Sequence, residues 1–237
     1  MKRITIIKTG ETFVSLRERV NDFEHWIASA MGLQEHQYMT WDVRHCEVLP
    51  DPGTAGAVVI TGSHDMVTRK HCWSEKLIEW ITAAVETSVP ILGICYGHHL
   101  LARAIGGEVG DNPLGKEFGT VSVQLTSESK KDIVFRDLGE KIWVHVAHTQ
   151  SVLSLPSSAS ILARNDHDQF HAFRYGNNAW GVQFHPEFNA FITRYYLDKF
   201  KQSLEAEGKS YDQLLRSVSE QPVGSVILKR FLEYGVE

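Results

Sequence analysis

Cysteine is scarce in this chain: three in 237 residues, Cys46, Cys72 and Cys95, an odd number with no close pair. That excludes a disulfide framework and leads us to expect a reducing, cytoplasmic setting. Positive charge is in short supply too. Lys and Arg number 24 against 29 Asp and Glu, a formal net charge of -5, which leaves no basic footprint for nucleic acid. No apolar run approaches the roughly 20 residues of a bilayer span. Twelve histidines are present, but Cys-x-x-Cys and His-Glu-x-x-His spacings are missing. Most of the histidines therefore read as surface and loop residues, and neither a metal nor a cofactor is expected. Repeats, low-complexity tracts and linkers are also missing. The N-terminal Met1-Lys2-Arg3-Ile4-Thr5-Ile6-Ile7 is too short for a signal peptide and reads as a first strand. We therefore expect one domain over residues 1–237, a core to about residue 190 and a helical tail over 191–237.

What is present is an ordinary globular composition, 43% hydrophobic and 22% charged, in a chain long enough for a large α/β core. Strand-like segments at 4–7, 37–43 and 57–60 alternate with helical spacing over 16–31 and 73–87. That rhythm predicts an open, mostly parallel sheet with helices on both faces. The second half adds strand-like segments at 119–125, 141–147, 159–164, 170–175 and 179–184. Two or three helices, broken around Gly208 and Pro222, complete the chain.

The chemistry gathers at Pro90-Ile91-Leu92-Gly93-Ile94-Cys95-Tyr96-Gly97-His98-His99. A buried strand runs into Gly-x-Cys-x-Gly, and a helix leaves it, which is the layout of a nucleophile elbow. The glycines allow backbone segments to approach where a side chain would clash. The helix N-terminus that follows favours a thiolate. Cys95 is the candidate nucleophile; Cys46 and Cys72 carry no such context. Ninety residues on, Trp180-Gly181-Val182-Gln183-Phe184-His185-Pro186-Glu187 reads as a strand ending in His-Pro-Glu. Residues two apart in extended chain face the same way. Glu187 is thus placed to orient His185, and His185 to act as base toward Cys95.

These two motifs, in this order and at this separation, resemble those of the class I (triad) glutamine amidotransferases, in particular the GMP synthetase type and its stand-alone relatives. The resemblance runs from the first strand to about Glu187. It implies a flavodoxin-like α/β core and a Cys95-His185-Glu187 triad. It also implies that the loop Thr61-Gly62-Ser63 supplies one oxyanion N–H, from Gly62, with Tyr96 supplying the other, each worth on the order of 3 kcal/mol. The segment His148-Thr149-Gln150-Ser151-Val152 corresponds to a loop that helps hold the substrate, which gives Gln150 and Ser151 that role. Position 99 departs from the pattern: His99 stands where the family usually has a substrate-contacting glutamine.

The expected reaction is attack of Cys95 on the γ-carbonyl of glutamine, loss of ammonia, and hydrolysis of the γ-glutamyl thioester. No Ser-Gly-Gly-x-Asp pyrophosphatase loop is present, so any synthetase that receives the ammonia is expected on another chain. Two other readings remain open: a γ-glutamyl peptidase acting on glutathione-like compounds, to which the change at His99 lends weight, and a non-catalytic regulatory subunit that keeps the fold. Neither nucleic acid nor membrane is an expected partner.

Overall fold

A computed structural model describes residues 4–45, 49 and 51–236. Cys46 lies outside the described residues. The first half lays down β1 (Ile4–Lys8), β2 (Tyr38–Asp42), β3 (Ala57–Ile60) and β4 (Ile91–Ile94), all parallel, in the spatial order β2-β1-β3-β4. The side chains of β1, β3 and β4 alternate between two buried faces, while the edge strand β2 is half-buried or exposed. Ile4, Ile6, Val59, Leu92 and Ile94 enter one core, and Ile7, Val58, Ile60 and Ile91 the other. Burial on both faces is what parallel strands require, and it explains their unbroken apolar runs. Helices α3 (Cys72–Glu86) and α4 (Tyr96–Ala104) cover the second face through Leu77, Ile81, Leu100 and Leu101.

The sheet continues through β11 (Ala179–Val182), which is parallel to β4. The antiparallel strands β10 (Ala172–Tyr175), β9 (Ala159–Arg164), β6 (Glu117–Leu125) and β7 (Lys141–His148) complete nine strands. A separate two-stranded sheet pairs β5 (Glu108–Asp111) with β8 (Gln150–Ser154). The C-terminal region forms α5 (Ala190–Ala206), α6 (Tyr211–Ser217) and α7 (Val223–Val236). Ile227, Leu228 and Phe231 of α7 are fully buried in the same core as β1, β3 and β4, so α7 covers the face opposite α3 and α4. No helix among the described residues is long and apolar enough to cross a membrane.

Four local expectations need correction. The single helix expected over 16–31 is two, α1 (Val14–Val20) and α2 (Phe23–Met31). Asn21 between them has φ +66°, and Asp22 caps α2 by accepting from Phe23 N–H. Asp22 also accepts from Thr12 N–H at 2.9 Å and from Lys8 Nζ at 2.9 Å. These tertiary bonds hold the break where apolar spacing alone predicts continuity. The strand expected to 184 ends at Val182, so His185 and Glu187 sit in a turn. Phe170 and His171 precede β10. Finally, Gln150 and Ser151 belong to strand β8, with Gln150 opposite Asp111 of β5.

Candidate active site

Cys95 sits between β4 and α4 with φ +49° and ψ -98°, a backbone conformation that L-residues rarely adopt. The bend is fixed from both sides. Cys95 N–H donates to Val182 O at 2.8 Å, and Gly97 N–H donates to Thr61 O at 3.2 Å. A Cβ at Gly97 would lie 2.5 Å from Ile60 O, and one at Gly93 would strike the Gly97 carbonyl. The glycine bracket is therefore a packing requirement of β3, β4 and α4 meeting at one point. As the first residue of α4, Tyr96 has a backbone N–H without an intrahelical acceptor. The thiol is buried, with Cys95 6% exposed, while Cys72 is exposed.

His185 follows β11, the neighbour of β4, and its backbone N–H donates to His145 O at 2.8 Å. Its Nδ1–H donates to Glu187 Oε1 at 2.8 Å, which leaves Nε2 for the thiol. Phe188 stacks on the ring at 4.0 Å between centroids, with Phe23 parallel on a wider spacing of 6.2 Å. Burial alone would lower the pKa of this imidazole. The negative charges of Glu187 and Cys95 and the bonds to both outweigh it and raise the value to about 10. The charged ring dominates its surroundings. His64 and His145 are each held down at about 4, chiefly by burial and then by repulsion from His185.

Gly62 stands over this pair. A Cβ there would lie 2.8 Å from His185 Cε1 and 3.7 Å from Cys95 Cβ. The Thr61–Gly62 segment is pinned by Thr9, whose Oγ1 donates to Thr61 O and Gly62 O, at 2.9 and 3.1 Å. A cavity of about 100 Å³ opens beside Cys95, lined in part by His64, Met66, His99, Phe118, Thr149 and Gln150, with Tyr196 and Phe200 of α5 on its wall.

The residues expected to hold substrate are engaged elsewhere to different degrees. Gln150 reaches the cavity, but its Nε2 donates to Thr68 Oγ1 at 2.8 Å and Asp111 Oδ1 at 3.0 Å. Ser151 Oγ accepts from Asn112 at 2.8 Å and is not part of the cavity wall. His99 lines the cavity, is only 4% exposed, and donates from Nε2 to Gln183 Oε1 at 2.7 Å. Gln183 in turn directs Nε2 at Cys95 Sγ, 3.9 Å away. Burial lowers the pKa of His99 to about 4, so it is neutral at ordinary pH.

Gln183, His64 and Tyr196 escaped the sequence reading. Gln183 lies inside the Gln-Phe-His-Pro-Glu motif, so its signal was at hand. Tyr196 Oη bonds His64 Nε2 at 2.9 Å and Thr12 Oγ1 at 3.0 Å, partners 132 and 184 residues away, with no local signature. The histidine reading also needs correction. Six of the twelve, His98, His99, His145, His148, His171 and His185, are buried, because they fall within or beside the strands and the helix start that pack around this site.

Comparisons with known proteins identify relatives of the chain and its family. Relatives include the GMP synthase [glutamine-hydrolyzing] of Aeropyrum pernix, 36% identical over 60% of this chain and 25% of that protein. Gamma-glutamyl peptidase 5 of Arabidopsis thaliana is 31% identical over 60% of this chain and 57% of its own length. One subunit of the Pyrococcus furiosus GMP synthase [glutamine-hydrolyzing] is 34% identical over 55% of this chain and 65% of its own length. The matches thus span from a quarter to just under two thirds of these relatives. Two solved structures share the fold over the whole chain. A glutamine amidotransferase from Thermotoga maritima has TM-score 0.77 at 22% identity, covering 100% of this chain and 99% of that one. One from Methylobacillus flagellatus has TM-score 0.75 at 20% identity, covering 100% and 96%. The sequence profile of the family described as "Glutamine amidotransferase class-I" matches residues 21–200, which include the elbow, the His-Pro-Glu turn and the loop over them, and the chain belongs to that family.

Proposed function

We propose that this chain is a cysteine-dependent amidohydrolase that cleaves the γ-amide of glutamine. The observation that carries the reading is Cys95 on a positive-φ elbow beside an imidazole that Glu187 orients and keeps charged. In this reading the Cys95 thiolate attacks the γ-carbonyl. Gly62 and Tyr96 N–H groups receive the developing oxyanion. The His185 imidazolium protonates the departing ammonia, then as a neutral base draws a proton from the water that hydrolyses the thioester. Glu187 keeps Nδ1 protonated, so Nε2 is the atom that exchanges protons. His99 acts through Gln183 on the thiol, and the Gln150 segment forms the wall against which the glutamine lies. Ammonia passes to a synthetase on another chain. The name of the Pyrococcus furiosus relative, a GMP synthase subunit, favours such an arrangement.

A second reading has its own support. The cavity wall on the α5 side is aromatic, with Tyr196, Phe200 and Phe118, and a neutral His64 adjoins it. That lining suits an amine leaving group larger than ammonia, as in a γ-glutamyl peptide, and one relative is a gamma-glutamyl peptidase by name.

The deciding experiment measures ammonia release from glutamine and amine release from γ-glutamyl dipeptides by the purified chain and by Cys95→Ser. Turnover lost in the variant, together with labelling of Cys95 by a diazo-ketone glutamine analogue, is the expected result. Labelling of Cys72 with Cys95 untouched refutes the assignment. Label on Cys95 without turnover of either substrate would favour a regulatory subunit.

A further inference from the structure

Glu117 and His148 face each other across the β6–β7 pair, and His171, just before β10, completes a buried trio. One ligand atom from each lies within 4.8 Å of the other two. Glu117 Oε2 is 2.9 Å from His148 Nε2 and 3.1 Å from His171 Nε2.

Proton accounting at this cluster does not close. His148 Nδ1 lies 3.0 Å from Gln150 O, which can only accept, so Nδ1 carries the hydrogen. A neutral ring then turns the bare lone pair of Nε2 onto a carboxylate oxygen. His171 is fully buried; its Nδ1 has no hydrogen-bond partner, and its Nε2 meets Glu117 Oε2 at 3.1 Å as an ion pair off the best hydrogen-bond direction. One extra proton on His148 repairs the first contact and leaves the His171 Nε2 approach to Glu117 poorly directed. A single cation among the three atoms engages all of them.

We propose that Glu117, His148 and His171 form a binding site for a divalent first-row transition ion, zinc foremost. Two imidazoles and one carboxylate are a donor set that suits such ions. Bonds of about 2.0–2.2 Å in tetrahedral geometry separate ligand atoms by about 3.4 Å, a few tenths of an ångström beyond the two separations from Glu117 Oε2 to the imidazoles. Outer partners are in place for two of the three ligands: Asn165 Nδ2 donates to Glu117 Oε1 at 2.7 Å, and the Gln150 carbonyl holds His148 Nδ1–H, fixing the tautomer that offers Nε2, while His171 Nδ1 has no such partner among the described residues. The ion ties β6, β7 and the chain entering β10 together. Because His148 also lines the cavity beside Cys95, it stiffens the cavity wall from behind.

The test uses Cys95→Ala protein, so that the thiol beside His185 cannot bind the metal, stripped with a chelator and titrated with Co²⁺ and Zn²⁺. Visible d–d bands, calorimetry and elemental analysis report the site. The expected result is one equivalent bound, with no sulfur-to-metal charge-transfer band. Asn165→Ala should weaken affinity about 10–100-fold, and His171→Asn and Glu117→Gln by at least about 100-fold. Circular dichroism checks the fold of each variant, and if His171→Asn does not fold, Asn165→Ala and the parent spectrum decide. No stoichiometric binding by the parent, or binding unchanged in Asn165→Ala and His171→Asn, overturns the proposal and leaves a cluster held by protons alone.

Discussion

Gly62→Ala tests the tight approach between the loop after β3 and the Cys95–His185 pair. The added methyl would lie 2.8 Å from His185 Cε1, where ordinary contact begins at 3.4 Å, so about 0.6 Å of movement is required. The imidazole cannot recoil easily, being held by Glu187 at 2.8 Å and by Phe188 stacked at 4.0 Å, with the backbone N–H of His185 anchored on His145 O. The loop is held as firmly, by Thr9 on the Thr61 and Gly62 carbonyls and by Gly97 N–H on Thr61 O. Gly62 does not occupy the positive-φ region, so the strain comes from contact alone. Overpacking of this kind costs about 1–3 kcal/mol. For a chain of this size that lowers Tm by about 2–4 °C per kcal/mol. Displacing the ring or the Gly62 N–H by a good fraction of an ångström should lower kcat on the order of 100-fold. The assays are a thermal melt, γ-amide hydrolysis, and the rate of Cys95 alkylation by iodoacetamide, which reports the Cys95–His185 pairing whatever the substrate. Unchanged Tm, kcat and alkylation rate together would refute the mutual locking of loop and imidazole.

Under the proposed mechanism, in which Glu187 orients and supports the ring while His185 moves the protons, Glu187→Gln should weaken catalysis less than His185→Asn. Steady-state rates compare them, and wild-type activity in His185→Asn removes that residue from the mechanism. Because His99 holds Gln183 against the thiol, His99→Gln should raise kcat/KM for glutamine relative to a γ-glutamyl dipeptide. A ratio unchanged while both rates move in parallel would mean that His99 supports the elbow and does not influence substrate choice. His145, 2% exposed, has its pKa lowered from 6.5 to about 4. The unfolded chain protonates this residue first, so stability present above pH 6.5 is lost as the pH falls toward 4, by up to about 3 kcal/mol. The fall in Tm over that window should be smaller in His145→Gln; an equal fall in both proteins refutes the contribution.

Particular residues show why some of this was legible in the chain and some was not. The parallel half could be read because runs such as Ala57–Ile60 and Ile91–Ile94 are apolar on both faces, and that pattern is local. Cys95 could be read because the elbow needs Gly93 and Gly97 within two residues of it. Pairing His185 with Glu187 was correct, although the chain there is a turn, because a two-residue spacing in either geometry lets the carboxylate reach Nδ1. The break at Asn21–Asp22 could not be read, since it depends on Lys8 and Thr12. Strand β8 could not be read either, because a five-residue segment of mixed polar and apolar residues becomes a strand only when β5 is there to pair with it.

The sequence by itself determined the α/β architecture and the identity of the three residues gathered at the elbow. Those depend on periodicity and on glycine, proline and cysteine at fixed short spacings, which are properties of neighbouring residues. The tertiary structure alone decided that Gln183 stands between His99 and the thiol, that Tyr196 reaches His64, and that Glu117, His148 and His171 converge. Those contacts join residues brought together by sheet order and strand register, and side chains separated by 23 to 132 positions carry no periodic trace of one another.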